Sequence, residues 1–495
     1  MNRAMTPRAG RRAWVGLAVL GLPTILLALD LSVVYLALPR LSADLGASSV
    51  QQLWITDIYG FVTAGFLVTM GTLGDRIGRR RLLLIGAAAF GATSALAAFS
   101  TSATMLIGAR ALMGVAGATL MPSTLALITN MFVDPAERAT AIAAWTSCFM
   151  VGAAVGPIVG GVLLQYFWWG SLFLLGVPVM LLLLVTGPFL LPEYRDVTAG
   201  RLDAASAALS LAAILPVVYA IKTLAHDGVA AMPFAAIVFG LLVGAAFVKR
   251  QRRLASPLLD VRLFRNRAFS AALLILMVGI ATQGGIMLLV SEHLQIVDGL
   301  SPLRAGWSLM PASIAMVVGC LAAPVAARAF REGTIIACGL AISACGYALI
   351  ALVEGSGDVG VLIAGAILVF FGIGPMAVFS QDLVVGSVPP GNAGSAAALS
   401  ETSGDFGIAL GVAVFGSISA AIYRHRLAVF PPTLPVSAGE VLARSRSAFT
   451  SGLHAAAICS AVINVGLAVI SVTTLSRARS GTNDERPEPP SQRRP

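Results

Sequence analysis

Long apolar runs recur through nearly the whole of this 495-residue sequence, each about as long as a bilayer is thick. A helix needs ~20 mostly apolar residues to cross the hydrocarbon core. Within that core every backbone N–H and C=O must be bonded inside its own segment or inside a closed barrel. Barrel strands are short and alternate in polarity. These runs are long and apolar all round, so they predict an all-α membrane protein. The charge content agrees: 11% of residues are charged, against about 25% in a soluble domain. That is too little to cover a water-facing surface.

The runs predict fourteen spans, at residues 14–38, 51–74, 81–99, 103–130, 140–165, 171–191, 204–224, 230–248, 269–292, 303–329, 333–353, 359–387, 394–423 and 449–475. The first is too long for the core of a signal peptide and is expected to stay as a span. Arginines then orient the chain. Arg3, Arg8, Arg11 and Arg12 precede the first span, and Arg76, Arg79, Arg80 and Arg81 follow the second. Lys249, Arg250, Arg252, Arg253, Arg262, Arg265 and Arg267 follow the eighth; Arg328 and Arg331 follow the tenth. All fall on one side, which the positive-inside rule makes cytoplasmic, with both termini inside. Arg424, Arg426, Arg444 and Arg446, between the last two spans, are the exception. Trp14, Trp54, Trp168, Trp169 and Trp307 sit at predicted span ends, as in an aromatic belt. The net charge of +10 is therefore a matter of topology and not of nucleic-acid binding.

A degraded repeat supplies the layout. The second span ends in Gly71-Thr72-Leu73-Gly74-Asp75-Arg76-Ile77-Gly78-Arg79-Arg80-Arg81, and residues 324–333 repeat it weakly with Arg328 and Arg331. The predicted order is a cytoplasmic N-terminus (1–13), a six-helix bundle (14–192), a two-helix insert (203–248), a cytoplasmic basic loop (249–268), a second six-helix bundle (269–475) and a disordered tail (476–495). Two similar halves around a midplane site is a transporter plan.

Ionised groups within the bilayer cost at least ~2.5–3.5 kcal/mol each, so they are read as functional. At 1.5 Å per residue, Asp30 lies ~24 Å up the first span, Asp57 ~9 Å down the second and Arg110 ~10 Å down the fourth. These depths are similar, so either an Asp30–Arg110 or an Asp57–Arg110 pair is expected. Glu401 and Asp405 are four residues apart, on one face of the thirteenth span and near its middle. Two carboxylates there repel while both are ionised, so the pair can exchange a proton and attract an organic cation. Asp382, near the inner end of the twelfth span, is either an inner-gate or proton-entry group or a residue that snorkels to the interface. Glu292 and His293 end the ninth span, with His293 expected at the interface. Trp145, Phe149, Met150, Tyr59, Met287 and Phe379 are candidates for lining a cation pocket.

In the fifth span, Gly152, Gly156 and Gly160 share a helix face that a neighbour can approach closely. Gly161 follows, and Pro157 removes a backbone donor. The five cysteines lie in apolar runs without C-x-x-C spacing, and the four histidines are scattered. No metal site, cofactor or enzyme constellation is expected. The sequence lacks G-x-x-x-x-G-K-[ST], so ATP is not the expected driver.

The 71–81 segment resembles the loop signature of the major facilitator superfamily. Arg110-Ala111-Leu112-Met113-Gly114-Val115-Ala116-Gly117 resembles that family's intramembrane arginine motif, and the 152–161 glycines resemble its antiporter motif. Leu29-Asp30-Leu31-Ser32-Val33-Val34-Tyr35-Leu36-Ala37-Leu38-Pro39 resembles the first-span motif of the fourteen-span drug:proton antiporter branch. The resemblance implies the major-facilitator fold and a monomeric exporter of lipophilic cations such as quaternary ammonium compounds, ethidium and methyl viologen. It implies coupling to protons at the bacterial inner membrane, with no cofactor and no nucleic-acid partner. The alternative is transport of another small molecule, by export or by uptake. Two positions depart from some relatives that accept dications: Met316 stands where they have aspartate, and Ser400 where they have an acidic residue.

Overall fold

Several helices begin at a polar side chain that caps the first turn. Ser48 and Gln51 form a reciprocal capping box. The Ser102, Asp134, Asn266 and Ser301 side chains each accept from a first-turn amide. Pro135 and Pro302 follow two of these caps, where the missing N–H costs nothing.

The computed structural model describes residues 9–195, 204–227, 231–254, 261–355, 357–388, 393–428 and 438–475. Its helices are α1 (Arg11–Leu45), α2 (Ser49–Ile77), α3 (Arg79–Ala98), α4 (Ala103–Met131), α5 (Pro135–Tyr166), α6 (Ser171–Leu174), α7 (Gly176–Leu190), α8 (Ala204–Asp227) and α9 (Ala231–Gln251). After a 3₁₀ turn at Val261–Arg265 come α10 (Arg267–Ile296), α11 (Pro302–Ala326), α12 (Glu332–Ile350), α13 (Val359–Gly386), α14 (Ala393–Ala428) and α15 (Ala438–Ile470), which ends in a π turn. The described residues contain no strand. Among them, twelve helices are long and apolar enough to cross a membrane. α2 and α8, which carry the second and seventh predicted spans, are not among the twelve.

Helices α1–α7 pack mainly on one another, through α1 on α5, α2 on α4 and α3 on both α4 and α7. Helices α10–α15 do the same, through α10 on α14, α12 on α13 and α15, and α11 on α13. The two groups meet where α5 crosses α11 and α2 crosses α14. The α8–α9 pair lies beside that second crossing, with α8 touching both α2 and α14.

Several expectations need correction. α1 runs through Pro39 to Leu45 and stops only at Gly46, whose left-handed φ of 60° lets its amide bond Ser42 O. The sixth predicted span stands, since α6 and α7 join through Leu175 with helical φ and ψ, and Ser171–Leu190 is one of the twelve spanning stretches. The 249–268 segment is not all loop, since it holds the end of α9, the 3₁₀ turn and the start of α10. The exceptional arginines lie on helix: Arg424 and Arg426 end α14, and Arg444 and Arg446 begin α15. Trp169 is buried against Phe173 and does not belong to an aromatic belt. His293 is also buried, with Asp298 3.3 Å away on one side and Thr450 3.3 Å away on the other. The predicted tail and the leading Arg3 and Arg8 lie outside the described residues.

Candidate functional site

The 71–81 segment makes a tight α2–α3 corner because Gly78 adopts a φ of 111°, open only to glycine without strain. The corner swings Arg79 back beneath α2. Arg79 is fully buried, donates to Gly71 O at 3.2 Å and pairs with Asp75. Asp75 in turn accepts from the amides of Gly394 (3.3 Å) and Ser395 (3.1 Å), at the start of α14. The first amides of a helix have no partners within it and carry the positive end of its dipole. Asp75 of the first helix group thus caps a helix of the second. Gly71 permits this contact, since any Cβ there would strike the Gly394 backbone and Ala398. Arg80 points the other way, to the carbonyls of Pro188 and Leu191 and to Glu193. Gly74 packs on the Arg79 stem, and Arg76 is half-buried.

A second junction lies at the same basic end. The Arg138 guanidinium meets Asp382 at 2.5 Å, joining the start of α5 to the end of α13. Thr146 donates to Gln381 at 3.3 Å a little further in. Asp382 is buried, so it pairs across the groups instead of snorkelling to the interface. Arg138 was missed from the sequence. Its signal is a cation in the first turn of an α-helix, where the dipole disfavours positive charge and a carboxylate partner is needed.

The Asp30–Arg110 pair forms, at 3.3 Å, with both side chains buried. Arg110 also lies over the rings of Tyr59 and Phe173, 5.3 and 5.8 Å from their centroids. Beside Asp30 is a cavity of only 10 Å³, the lower limit for one water, lined by Phe90, Ser94, Phe173 and Gly176. The pair therefore sits inside the first helix group. The side chain of Asp57, the alternative partner, lies outside the described residues.

Glu401 and Asp405 share the α14 face that carries Gly394 and Ala398, because steps of three and four return to one side of a helix. That face meets Gly71 of α2. Eleven residues separate Gly394 from Asp405, about 16 Å along the helix axis. At that height Asp405 is exposed, whereas Glu401 is half-buried and its Oε1 has no hydrogen-bond partner among the described residues. Tyr59 of α2 lies within electrostatic reach of Asp30, Arg110 and Asp405. Met316 is buried, and its sulfur accepts from Gln283 at 3.8 Å.

The α5 glycines divide. Gly152 lies against the α1 backbone at Ile25, while nothing stands within 4 Å of a Cβ at Gly161. The close approach is thus within the first group. Gly156 and Gly160 are buried, and the side chain of Pro157 lies outside the described residues.

The contacts of Asp75 can be tested by substitution. Losing a charge at a partly buried helix N-terminus costs up to ~2 kcal/mol, a factor of about 30. In Asp75→Asn, a cysteine placed at Ala398 is expected to react with a thiol reagent supplied at the basic end up to about thirtyfold faster than with Asp75 present. Equal rates would mean that the cap does not hold the halves together.

Comparison with known proteins agrees with this geometry. Residues 20–412 match the Major Facilitator Superfamily. The chain is 43% identical over 487 residues to the multidrug efflux pump LfrA of Mycolicibacterium smegmatis, covering 94% of this chain and 97% of that protein. It is 34% identical over 412 residues to the methyl viologen resistance protein SmvA of Salmonella typhimurium, covering 82% of each. Among solved structures it resembles the human organic anion transporter MFSD10 (TETRAN), with a TM-score of 0.61 at 17% identity, over 92% of this chain and 98% of that one. At that identity the likeness concerns the fold. A two-group helical architecture, a family match across most of the chain and near-full-length relatives lead to one assignment: the chain belongs to the Major Facilitator Superfamily of membrane transporters.

Proposed function

We propose that this protein is a multidrug efflux transporter that exports lipophilic cations in exchange for protons. The observation that carries this reading is the Glu401–Asp405 pair. One carboxylate is exposed far along a membrane helix, and its neighbour keeps an unpartnered buried oxygen. A carboxylate oxygen away from water needs a proton or a cation. Either ligand satisfies it, and exchange follows if the two exclude each other. The names of LfrA and SmvA support a drug-like, cationic cargo. Met316 and Ser400, which depart from some dication exporters, leave the choice between monocations and dications to the transport assay.

In this reading the chain crosses the inner membrane fourteen times, with α2 and α8 completing the set and with six-helix halves flanking a two-helix insert. The basic end and both termini face the cytoplasm. Closure at Asp75–α14 and Arg138–Asp382 then describes a transporter shut on the cytoplasmic side. Asp30, Arg110 and Tyr59 relay the protonation state of the first half to the α14 carboxylates. The two states must differ in affinity for the cation, or protons drive nothing.

Cells producing the protein are expected to hold less ethidium than control cells, and to lose that difference when an uncoupler is added. Accumulation equal to the control in both conditions would remove the exporter reading for that dye.

A further inference from the structure

A cavity of 680 Å³ lies between the two insert helices and α14, and neither Glu401 nor Asp405 lines it. Its walls are apolar, formed by Ile214 and Val217 of α8, Leu241 and Val248 of α9 and Phe406 of α14. One end differs, because Lys249 and Arg252 line it. The volume falls within the ~300–1,000 Å³ of sites that hold drug-sized ligands. Leu241, Ala245 and Lys249 are exposed, so the cavity opens sideways along α9. Leu241 to Arg252 spans eleven residues, an apolar path of about 16 Å ending at two cations.

The insert helices are tied to each other and to α2. Gln251 donates to Ser206 at 2.7 Å and ties the basic ends of α8 and α9 together. Thr69 of α2 and Ser210 of α8 are hydrogen-bonded at 3.3 Å, and Phe247 packs on Val68. The insert is thus anchored to α2 while it leaves a gap toward α14.

The sign of the charge selects the occupant. An organic cation lying along the groove would bring its charge toward Lys249 and Arg252 at the basic end and be repelled there. An anionic lipid matches both ends, with acyl chains along the apolar wall and the phosphate at the two cations. Basic side chains at a helix end reach the headgroup layer in this way. We propose that the groove between the insert and α14 is a binding site for an anionic phospholipid. Its location in the cytoplasmic leaflet rests on the orientation proposed above; the binding does not. By bridging the insert and α14, the lipid steadies a helix that carries the transport carboxylates.

The test uses purified full-length protein in detergent, phosphatidylglycerol as the probe and phosphatidylcholine of equal chain length as the comparison. Native mass spectrometry counts bound lipid, and thermal unfolding reads stabilisation. Wild-type protein is expected to retain phosphatidylglycerol in preference to phosphatidylcholine and to unfold at higher temperature with it. Each basic group near a headgroup is worth about fivefold in affinity. Lys249→Gln with Arg252→Gln is therefore expected to weaken phosphatidylglycerol binding about 25-fold. Leu241→Trp, which fills the groove without touching its charge, is expected to lower the retention of both lipids. Equal retention of the two lipids by wild type, or an unchanged preference in the double variant, would overturn the proposal. So would an equal thermal shift with inorganic phosphate alone, which would mark a simple anion site. No arm uses drug transport, so loss of the exporter reading would leave these results standing.

Discussion

Asp30→Ala is expected to produce the largest loss of stability of any single substitution in the first helix group. It leaves the Arg110 guanidinium buried, with two aromatic rings for company and no carboxylate. Removing one partner of a buried ion pair costs ~3–5 kcal/mol, because the other charge stays behind. That is a large share of the stability of any domain, typically 5–15 kcal/mol. Thermal unfolding of the purified protein in detergent measures it. The double variant Asp30→Asn with Arg110→Gln removes both charges and keeps the hydrogen-bonding shapes. It is expected to recover most of the lost stability but not transport, which separates the structural share of the pair from its functional one. An Asp30→Ala protein that unfolds at the wild-type temperature would show that Arg110 has another partner.

Glu401→Gln is expected to act on coupling more than on folding. The substitution keeps the size of the side chain and supplies a permanent neutral group where a proton would sit. Proton-driven efflux should fall by a factor of roughly 10–100, the value of one charge-assisted interaction of ~1.5–3 kcal/mol. Exchange of labelled for unlabelled drug, which needs no net proton movement, should persist. Asp405→Asn differs in kind. Asp405 is exposed and shares the α14 face that meets α2, so its loss should raise the concentration of cation needed for half-maximal transport. Were both forms of exchange lost together in Glu401→Gln, the residue would be part of the drug site and not of the coupling.

Much of this protein is legible in its sequence because lipid leaves the chain so little choice. A run of ~20 apolar residues has only the helix available. Helix depth is simple arithmetic at 1.5 Å per residue, and it brings Asp30 level with Arg110. It could not choose between Asp30 and Asp57, nor say that the Asp30 pair lies inside one group and not between two. The 71–81 segment stood out by its glycines, its aspartate and its arginines, but the partner of Asp75 was hidden. Asp75 meets backbone amides more than three hundred positions away, and amides leave no mark in a sequence. Arg138 was missed for a similar reason, since Asp382 alone read equally as an inner-gate group or as a snorkelling residue and named no partner. Trp169 and His293 misled because both residue types favour interfaces, whereas here each has an internal partner to satisfy it.

Drug and proton are proposed to move in opposite directions through one protein. The direct measurement is made in liposomes containing the purified protein, with a pH-sensitive dye trapped inside and no initial proton gradient. An inward gradient of a lipophilic monocation such as tetraphenylphosphonium is then imposed. Protons are expected to leave as the cation enters, so that the interior turns alkaline, and Glu401→Gln is expected to slow this pH change by the same factor of roughly 10–100. Cation entry with no pH change in the wild-type protein, or with acidification, would contradict it.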